Sequence, residues 1–350
     1  MKLSYSFPVV KGVQAKKEYY IGMVPLSMLG RLFIDDTEYV LPEYRAQRKL
    51  NENRIPEIKK YILENKDSYV FSALTASIDG EFIFIPASND NVGTLEISLD
   101  ARFLINDGQH RKAAILAALE EDPTIGDETI SVVFFGDKGL SRSQQMFTDL
   151  NKHAVKTSNS ISELYDSRDD YAVITRNVVS RIEFLNTYTD KEKDILGKYS
   201  SSLFTLNSFY SANKTIIGRS EPSDCEEFIF RFWNLVAEHM CPWKELMVRE
   251  VSKVDLREKY IATQNVVIQA FGRVGNGLRD SNKNLEEVLA KIESINWSRN
   301  ASVWKMRAVG KNGRILTNKR AVILISNVIK QTVGLPLSAE EMQAESEIEN

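Results

Sequence analysis

Cysteine and long hydrophobic runs are both scarce in this 350-residue sequence. Its two cysteines, Cys225 and Cys241, are too few and too isolated to form a disulfide framework or a zinc site. No stretch approaches the roughly 18 consecutive apolar residues of a membrane-spanning helix, and the first residues lack the apolar core of a signal peptide. We therefore expect a cytoplasmic protein that does not enter a membrane and keeps its thiols reduced.

A strong charge of one sign is also missing, because the formal net charge is only -3. This balance excludes a protein that coats nucleic acid with a generally basic surface, but it leaves a local basic face open. The hydrophobic content of 43% and the charged content of 27% are those of an ordinary globular protein. The length corresponds to two or three domains of roughly 150 residues each.

The first half of the chain alternates between strand and helix patterns. Apolar residues at helical spacing predict a helix in RIPEIKKYILEN, and RKAAILAALEE is rich in the strong helix formers Ala and Leu. A further helix is predicted in SRSQQMFTDL. Strands are predicted in EYYIGMVPLS, VFSALTASI, EFIFIPA, TLEISL, ARFLIN and TISVVFFG. These patterns predict a mixed α/β domain over residues 1–157.

The second half changes to long stretches whose apolar residues recur at intervals of three and four, which predicts a mainly helical domain over residues 158–338. Within it, VWKMRAVGKNGRILT alternates around Asn312 and Gly313, a strong signal for a β-hairpin, and a helix is predicted in the following NKRAVILISNVIKQTV. Residues 339–350 are acidic and are expected to form a frayed tail. The expected fold class is therefore α+β.

One polar cluster separates two apolar runs in LINDGQHRKAAILAALEE, residues 104–121. A strand followed by a glycine turn and a helix directs free backbone N–H groups at one point, and the helix dipole makes that point attractive to anions. Gly108 would let a phosphate approach the backbone, and Arg111 would supply a permanently charged donor. The alternative is structural, with Asp107 as a helix cap, Gly108 as a turn residue and Arg111 as a solvated side chain.

This cluster resembles the DGQHR motif of the DGQHR-domain proteins, which include the DndB family of DNA phosphorothioate (sulfur) modification systems. The surrounding chain is similar to a ParB-type core: AQRKLNENRIPEIKKYILEN parallels that family's Q-x-R segment, although Gln47 and Arg48 are adjacent here. FLINDGQHRKAA parallels its strand followed by G-x-x-R-x-x-A, met by Gly108, Arg111 and Ala114. The resemblance implies that Gly108 and Arg111, with Gln109 beside them, contact the phosphates of a nucleotide.

A second half of this pocket is expected in FTDLNKHAVKTSNS, residues 147–160. Asp149, Asn151 and Lys152 would hold a nucleotide such as ATP through Mg²⁺, with Asp149 as the metal ligand. The alternative is a helix end, with Asn151 as its cap. If the nucleotide is hydrolysed, Asp107 or His110 would position the attacking water. Because a first-turn arginine should add little to the core, Arg111→Ala is expected to keep the fold and lose nucleotide binding.

A charge asymmetry between Ser298 and Lys330 indicates where DNA would bind, because this window has eight basic residues and no Asp or Glu. The hairpin and the start of the next helix would contact DNA phosphates, and the alternative is an ordinary solvated surface. The acidic tail from Glu340 to Glu349 would compete for the same patch, so its deletion should tighten DNA binding. Trp297 and Trp304 are candidates for a surface role. The predicted DNA contacts are Lys305, Arg307, Lys311, Arg314, Lys319 and Arg320.

The resemblance implies a negative transcriptional regulator that binds the promoter DNA of its own phosphorothioate modification gene cluster. The alternative class is enzymatic, an NTPase or less readily a nuclease that acts on or with DNA in a modification or defence system. A nuclease would need clustered metal carboxylates, which the sequence around Asp107 and Asp149 hardly offers. A third alternative is a non-catalytic adaptor for other DNA sulfur modification proteins. A homo-oligomer is a further alternative for its assembly.

Overall fold

The computed structural model describes residues 3–33, 52–136, 145–146, 149–150, 157–197 and 199–349. The chain divides into two compact units, Met1–Val155 and Lys156–Asn350. The first unit is built around a seven-stranded sheet and the second is mainly helical, which confirms the α+β class predicted from the sequence. None of the helices in the described ranges is long and apolar enough to cross a membrane.

The sheet of the first unit has the strand order β4-β5-β1-β2-β7-β3-β6. Strands β3 and β7 are parallel, and every other neighbouring pair is antiparallel. All six predicted strands are present, but β1 was not predicted. Its apolar alternation is weak, since only Phe7 and Val9 are buried along its length. The seven strands are β1 (Ser4–Gln14), β2 (Lys17–Pro25), β3 (Leu74–Asp79), β4 (Phe82–Pro86), β5 (Val92–Ser98), β6 (Arg102–Asp107) and β7 (Thr129–Gly136).

The helices of the first unit whose bounds lie within the described residues are α1 (Leu29–Leu32), α2 (Ile55–Glu64) and α3 (Gln109–Glu121). Helices α2 and α3 lie where RIPEIKKYILEN and RKAAILAALEE predict them. Leu74, Ala76 and Ile78 on β3 share one core with Ile62 of α2 and Ala114 of α3. Of the helix predicted in SRSQQMFTDL, residues 145–146 and 149–150 are helical and the remainder lies outside the described residues. The core thus anchors β3 and β6 beside the start of α3.

The described residues of the second unit form eleven α-helices and a short parallel pair of strands, β8 (Thr189–Asp190) and β9 (Phe204–Thr205). Its core includes four buried tryptophans, and Trp297 stacks on Trp304 with ring centroids 5.5 Å apart. The surface role expected for Trp297 and Trp304 is therefore wrong, because both rings serve the core. The helices are α4 (Asn159–Tyr165), α5 (Asp170–Arg181), α6 (Glu183–Tyr188), α7 (Leu206–Ile217), α8 (Glu226–His239), α9 (Cys241–Met247), α10 (Lys253–Lys259), α11 (Asn265–Arg279), α12 (Leu285–Leu289), α13 (Lys319–Val333) and α14 (Ala339–Glu349).

Two segments near the C-terminus differ from their predicted form. The predicted hairpin is a tight reversal in which Val309 and Ile315 form an isolated antiparallel bridge, and Gly313 adopts φ +72° in the turn. Its backbone is held by a hydrogen bond from Gly310 N to Arg314 O at 2.9 Å. The acidic segment is not frayed, because residues 339–349 form α14. The hydrophobic pattern did not indicate this helix, whose contacts are largely ionic.

Candidate functional site

The polar cluster forms the junction between β6, which ends at Asp107, and α3, which begins at Gln109. Gly108 lies between them with φ +101°, and a Cβ at this position would meet Leu74 Cδ2 at 2.3 Å. Leu74 is fully buried, so both the backbone conformation and the packing require glycine here. Gly108 is the N-cap and no side chain caps the helix, so the expectation that Asp107 is the cap is wrong.

Arg111 is fully engaged by the protein rather than solvated. Its Nη1 donates to the carbonyl oxygens of Ser72 at 2.6 Å and Ala73 at 3.0 Å, and also to Ser72 Oγ. Its Nη2 donates to Asp107 Oδ2 at 2.6 Å. The guanidinium therefore ties α3 to the segment that enters β3, and Asp107 neutralises its charge. The expectation that this arginine adds little to the fold is wrong.

We expect Arg111→Ala to destabilise the protein by about 2–3 kcal/mol, because three backbone or carboxylate acceptors lose a charged donor. Urea unfolding measures the change. Arg111→Lys should recover little of it, since an ammonium group cannot reproduce the planar fork of donors. Arg102→Ala, at an exposed position of β6, is the matched control. Equal stability of the Arg111→Ala and Arg102→Ala variants would contradict a structural role.

Unpaired polar atoms surround the same junction. Asn106 is fully buried, and its Nδ2 donates to Ser77 Oγ at 2.7 Å and lies 3.0 Å from Met146 Sδ. Its Oδ1, and Nε2 of Gln109, are buried without a hydrogen-bond partner in the described part of the chain. The first turn of α3 contains no acidic residue. A polar ligand at this junction would therefore satisfy groups that the protein leaves unpaired.

Asn106 was not among the predicted site residues. The only sequence signal for it is an amide at the end of the apolar strand RFLIND, immediately before the motif. His110 follows Gln109 in the first turn of α3 and is half-buried. Asn106, near the end of β6, and Gln109 and His110, at the start of α3, therefore lie on either side of Gly108.

The second half of the predicted pocket is described only in part. Asp149 is exposed, and its Oδ1 accepts a hydrogen bond from Gln145 Nε2 at 2.7 Å. Asn151 and Lys152 lie outside the described residues, as do Gln47 and Arg48. Across the described ranges, no group of three or more His, Cys, Asp or Glu side chains is placed to hold a metal ion.

The predicted DNA contacts of the second unit separate into two sets. The exposed set consists of Lys305, Lys311 and Arg314, which lie on the reversal around Gly313. None of the three has an ion pair with any described residue. Arg299 stabilises the turn, because its Nη2 donates to Gly313 O at 2.5 Å. These three cations are therefore presented to solvent with their charges uncompensated.

The paired set consists of Arg307, Lys319 and Arg320, and each pairs with a carboxylate of α14. The nitrogen–oxygen distances are 2.6 Å from Arg307 Nη2 to Glu345, 3.3 Å from Lys319 Nζ to Glu340 and 3.1 Å from Arg320 Nη1 to Glu347. Lys319 and Arg320 occupy the first turn of α13, where the helix dipole disfavours cations and favours their anionic partners. Carboxylates of α14 therefore pair with three of the six residues that were predicted to contact DNA.

A family model described as DndB, DNA-sulfur modification-associated, matches residues 7–336. The matched region covers nearly the whole chain, includes both the β6–α3 junction and the basic window, and ends before α14. No curated protein and no solved structure matches the chain.

Proposed function

The chain belongs to the DndB family of DNA-sulfur modification-associated proteins, and from this membership we propose that it is a DNA-binding negative regulator of its own phosphorothioate modification gene cluster. The observation that carries the proposal is the exposed set, Lys305, Lys311 and Arg314. These cations lie on one short reversal, inside a window that contains no acidic residue. Double-stranded DNA is the partner whose backbone such a surface would contact.

The physical basis is the release of counterions from DNA. Each lysine or arginine that meets a phosphate displaces condensed cations, which favours binding at low salt. Phosphate contacts set affinity and register but carry no sequence information, so recognition of an operator requires further contacts with base edges. Since the net charge is -3, attraction to DNA depends on this local surface rather than on the whole protein.

The proposal is tested by titrating the protein with duplex DNA from upstream of its own gene cluster, and with scrambled duplex of the same length, at several salt concentrations. We expect tighter binding to the upstream duplex and an affinity that falls steeply with salt. A reporter gene behind the upstream DNA should be repressed when the protein is supplied. Equal affinity for both duplexes together with an unrepressed reporter would reject the regulator role.

We also propose that the β6–α3 junction binds a phosphate group, with a nucleotide such as ATP as the candidate ligand. The supporting observation is Gln109 Nε2, a buried donor without a partner among the described residues, beside an uncapped helix start. Phosphate oxygens would accept hydrogen bonds from Gln109 and from the first-turn N–H groups that follow Gly108. Arg111 would position this junction through Ser72 and Asp107 rather than contact the ligand.

The remaining pocket assignments stay predictions from the sequence. They place Asn151 and Lys152 beside the phosphates, Mg²⁺ on Asp149, and the attacking water near Asp107 or His110 if the nucleotide is hydrolysed. Binding without hydrolysis would be sufficient for a nucleotide to act as a regulatory ligand. Repeating the DNA titration with and without Mg-ATP therefore measures whether nucleotide alters DNA affinity.

We expect Gln109→Glu to weaken Mg-ATP binding at least about 10-fold, because a carboxylate at the helix start repels phosphate and occupies its N–H donors. The fold should be retained, since an acidic side chain in the first turn favours the helix. Isothermal titration calorimetry measures the affinity. The control Gln14→Glu makes the same substitution at an exposed position of the first unit. Equal affinities of the two variants would contradict a phosphate site at this junction.

A further inference from the structure

Helix α14 is held on the second unit by a buried carboxylate. Glu341 accepts hydrogen bonds from Lys330 Nζ at 2.7 Å, Arg273 Nη2 at 2.8 Å and Ser338 N at 2.9 Å. Burial raises the pKa of Glu341, but the hydrogen bonds from Lys330, Ser338 and Arg273 outweigh it and lower the pKa to about 2. The carboxylate is therefore charged at neutral pH, and its single negative charge pairs with two further cations, Arg273 and Lys330.

Apolar contacts contribute little to this attachment. Ala344 and Ile348 of α14 form a small cluster with Ile323 and Leu324 of α13, separate from the main core of the unit. An isolated helix of 11 residues is marginal in water, so α14 keeps its structure only while it is docked. Ion pairs, together with the hydrogen bonds that Asn327 Nδ2 donates to Glu341 O at 2.9 Å and to Glu345 Oε1 at 3.1 Å, therefore provide most of its attachment.

The carboxylates satisfy the cations only in part. Nε of Arg273 and Nε of Arg307 are buried and have no acceptor among the residues that the structure describes. Lys319 and Arg320 are exposed, so their pairs with Glu340 and Glu347 are solvent-screened and weak. A chain of phosphates could replace these carboxylates, because each cation would exchange one oxygen anion for another.

We propose that α14 is a displaceable acidic cover over a second row of DNA contacts, formed by Arg273, Arg307, Lys319, Arg320 and Lys330. In the free protein the carboxylates of α14 occupy this row. When DNA binds the exposed set, the DNA phosphates replace the carboxylates of Glu340, Glu341, Glu345 and Glu347. Helix α14 then dissociates from α13. This inference rests on the proposed DNA binding, and it adds Arg273 and Lys330 to the contact surface.

The first test is Glu340→Gln/Glu347→Gln, which removes the two exposed pairs and leaves Glu341 and Glu345 in place. We expect DNA affinity to rise about 5- to 10-fold at 0.1 M salt. The control, Glu192→Gln/Glu250→Gln, makes the same change in net charge at exposed sites of the same unit. An equal gain in both double variants would overturn the cover, because the effect would then reflect net charge alone.

The second test follows amide hydrogen exchange in the full chain. Residues 339–349 should lose protection when upstream DNA saturates the protein, and unchanged protection would overturn displacement. If the protein binds no DNA, the proposed function fails, and heparin then tests the cover separately. Glu340→Gln/Glu347→Gln should elute from a heparin column at higher salt than Glu192→Gln/Glu250→Gln, whereas coincident elution would reject the cover.

Discussion

Replacing Lys305, Lys311 and Arg314 together with glutamine will weaken DNA binding about 100-fold at 0.15 M salt, because three phosphate contacts are lost. The slope of log affinity against log salt should become shallower by about three units for the same reason. Fluorescence anisotropy with labelled upstream duplex measures both quantities. The fold should be unaffected, since all three side chains are exposed.

The matched control removes the same charge from Lys193, Arg219 and Lys291, three exposed basic residues of the same unit. Its effect on affinity should be small, because long-range attraction between exposed charges is largely screened at this salt concentration. If the control weakens binding as much as the test variant, net charge rather than a defined surface governs the interaction. An unchanged salt slope in the test variant would place the DNA surface elsewhere.

The choice of residues for this experiment depends on the structure. A sequence-based design would take Arg307, Lys311 and Arg314, which flank the Asn-Gly turn. Arg307 is already paired with Glu345 at 2.6 Å, so its removal would also leave a partly buried carboxylate without its cation. Lys305 replaces it because this lysine is exposed and has no carboxylate partner among the described residues.

Replacing Glu163 with glutamine will stabilise the protein by about 3 kcal/mol at pH 9 and by less than about 1 kcal/mol at pH 5. Burial, together with the negative charges of Asp194 and Asp169, raises the pKa of Glu163 to about 8. Its side chain is 8% exposed, and its Oε2 has no hydrogen-bond partner in the described part of the chain. The folded protein therefore holds this carboxyl protonated at neutral pH.

The direction of the pH dependence follows from proton binding. The unfolded chain releases this proton near pH 4.5, whereas the folded protein retains it until about pH 8. Between these values the folded state binds more protons, so stability falls as pH rises and the loss is complete above pH 8. Glutamine cannot ionise, and the variant therefore avoids this loss while it preserves the size of the side chain.

Urea unfolding of both proteins at pH 5, 7 and 9 measures this difference. Glu192→Gln, at an exposed position two residues before Asp194, serves as the control. A gain for Glu163→Gln that is the same at every pH would contradict a protonated buried carboxyl.

Local patterns were sufficient to predict most elements of the first unit. The six predicted strands and helices α2 and α3 follow from alternation, helical spacing and the Ala and Leu content of RKAAILAALEE. The strand-glycine-helix arrangement at Gly108 was also predicted, because positive φ and helix starts have short-range signals. The family that this stretch indicated is confirmed by the family-model match over residues 7–336. Strand β1 was missed because tertiary pairing with β2 and β5, rather than its own pattern, stabilises it.

The sequence alone determined the fold class, the family and the positions of the polar cluster and the basic window. Each of these depends on residues that are close together in the chain. Only the tertiary structure decided which charges are available. Arg111 is bound by Ser72, 39 residues away, and Arg273 by Glu341, 68 residues away. No local pattern reports such pairs, because the chain must fold before charges distant in sequence meet. For that reason the sequence did not predict that Arg111 bonds Ser72 and Asp107, or that the acidic C-terminal segment docks as a helix.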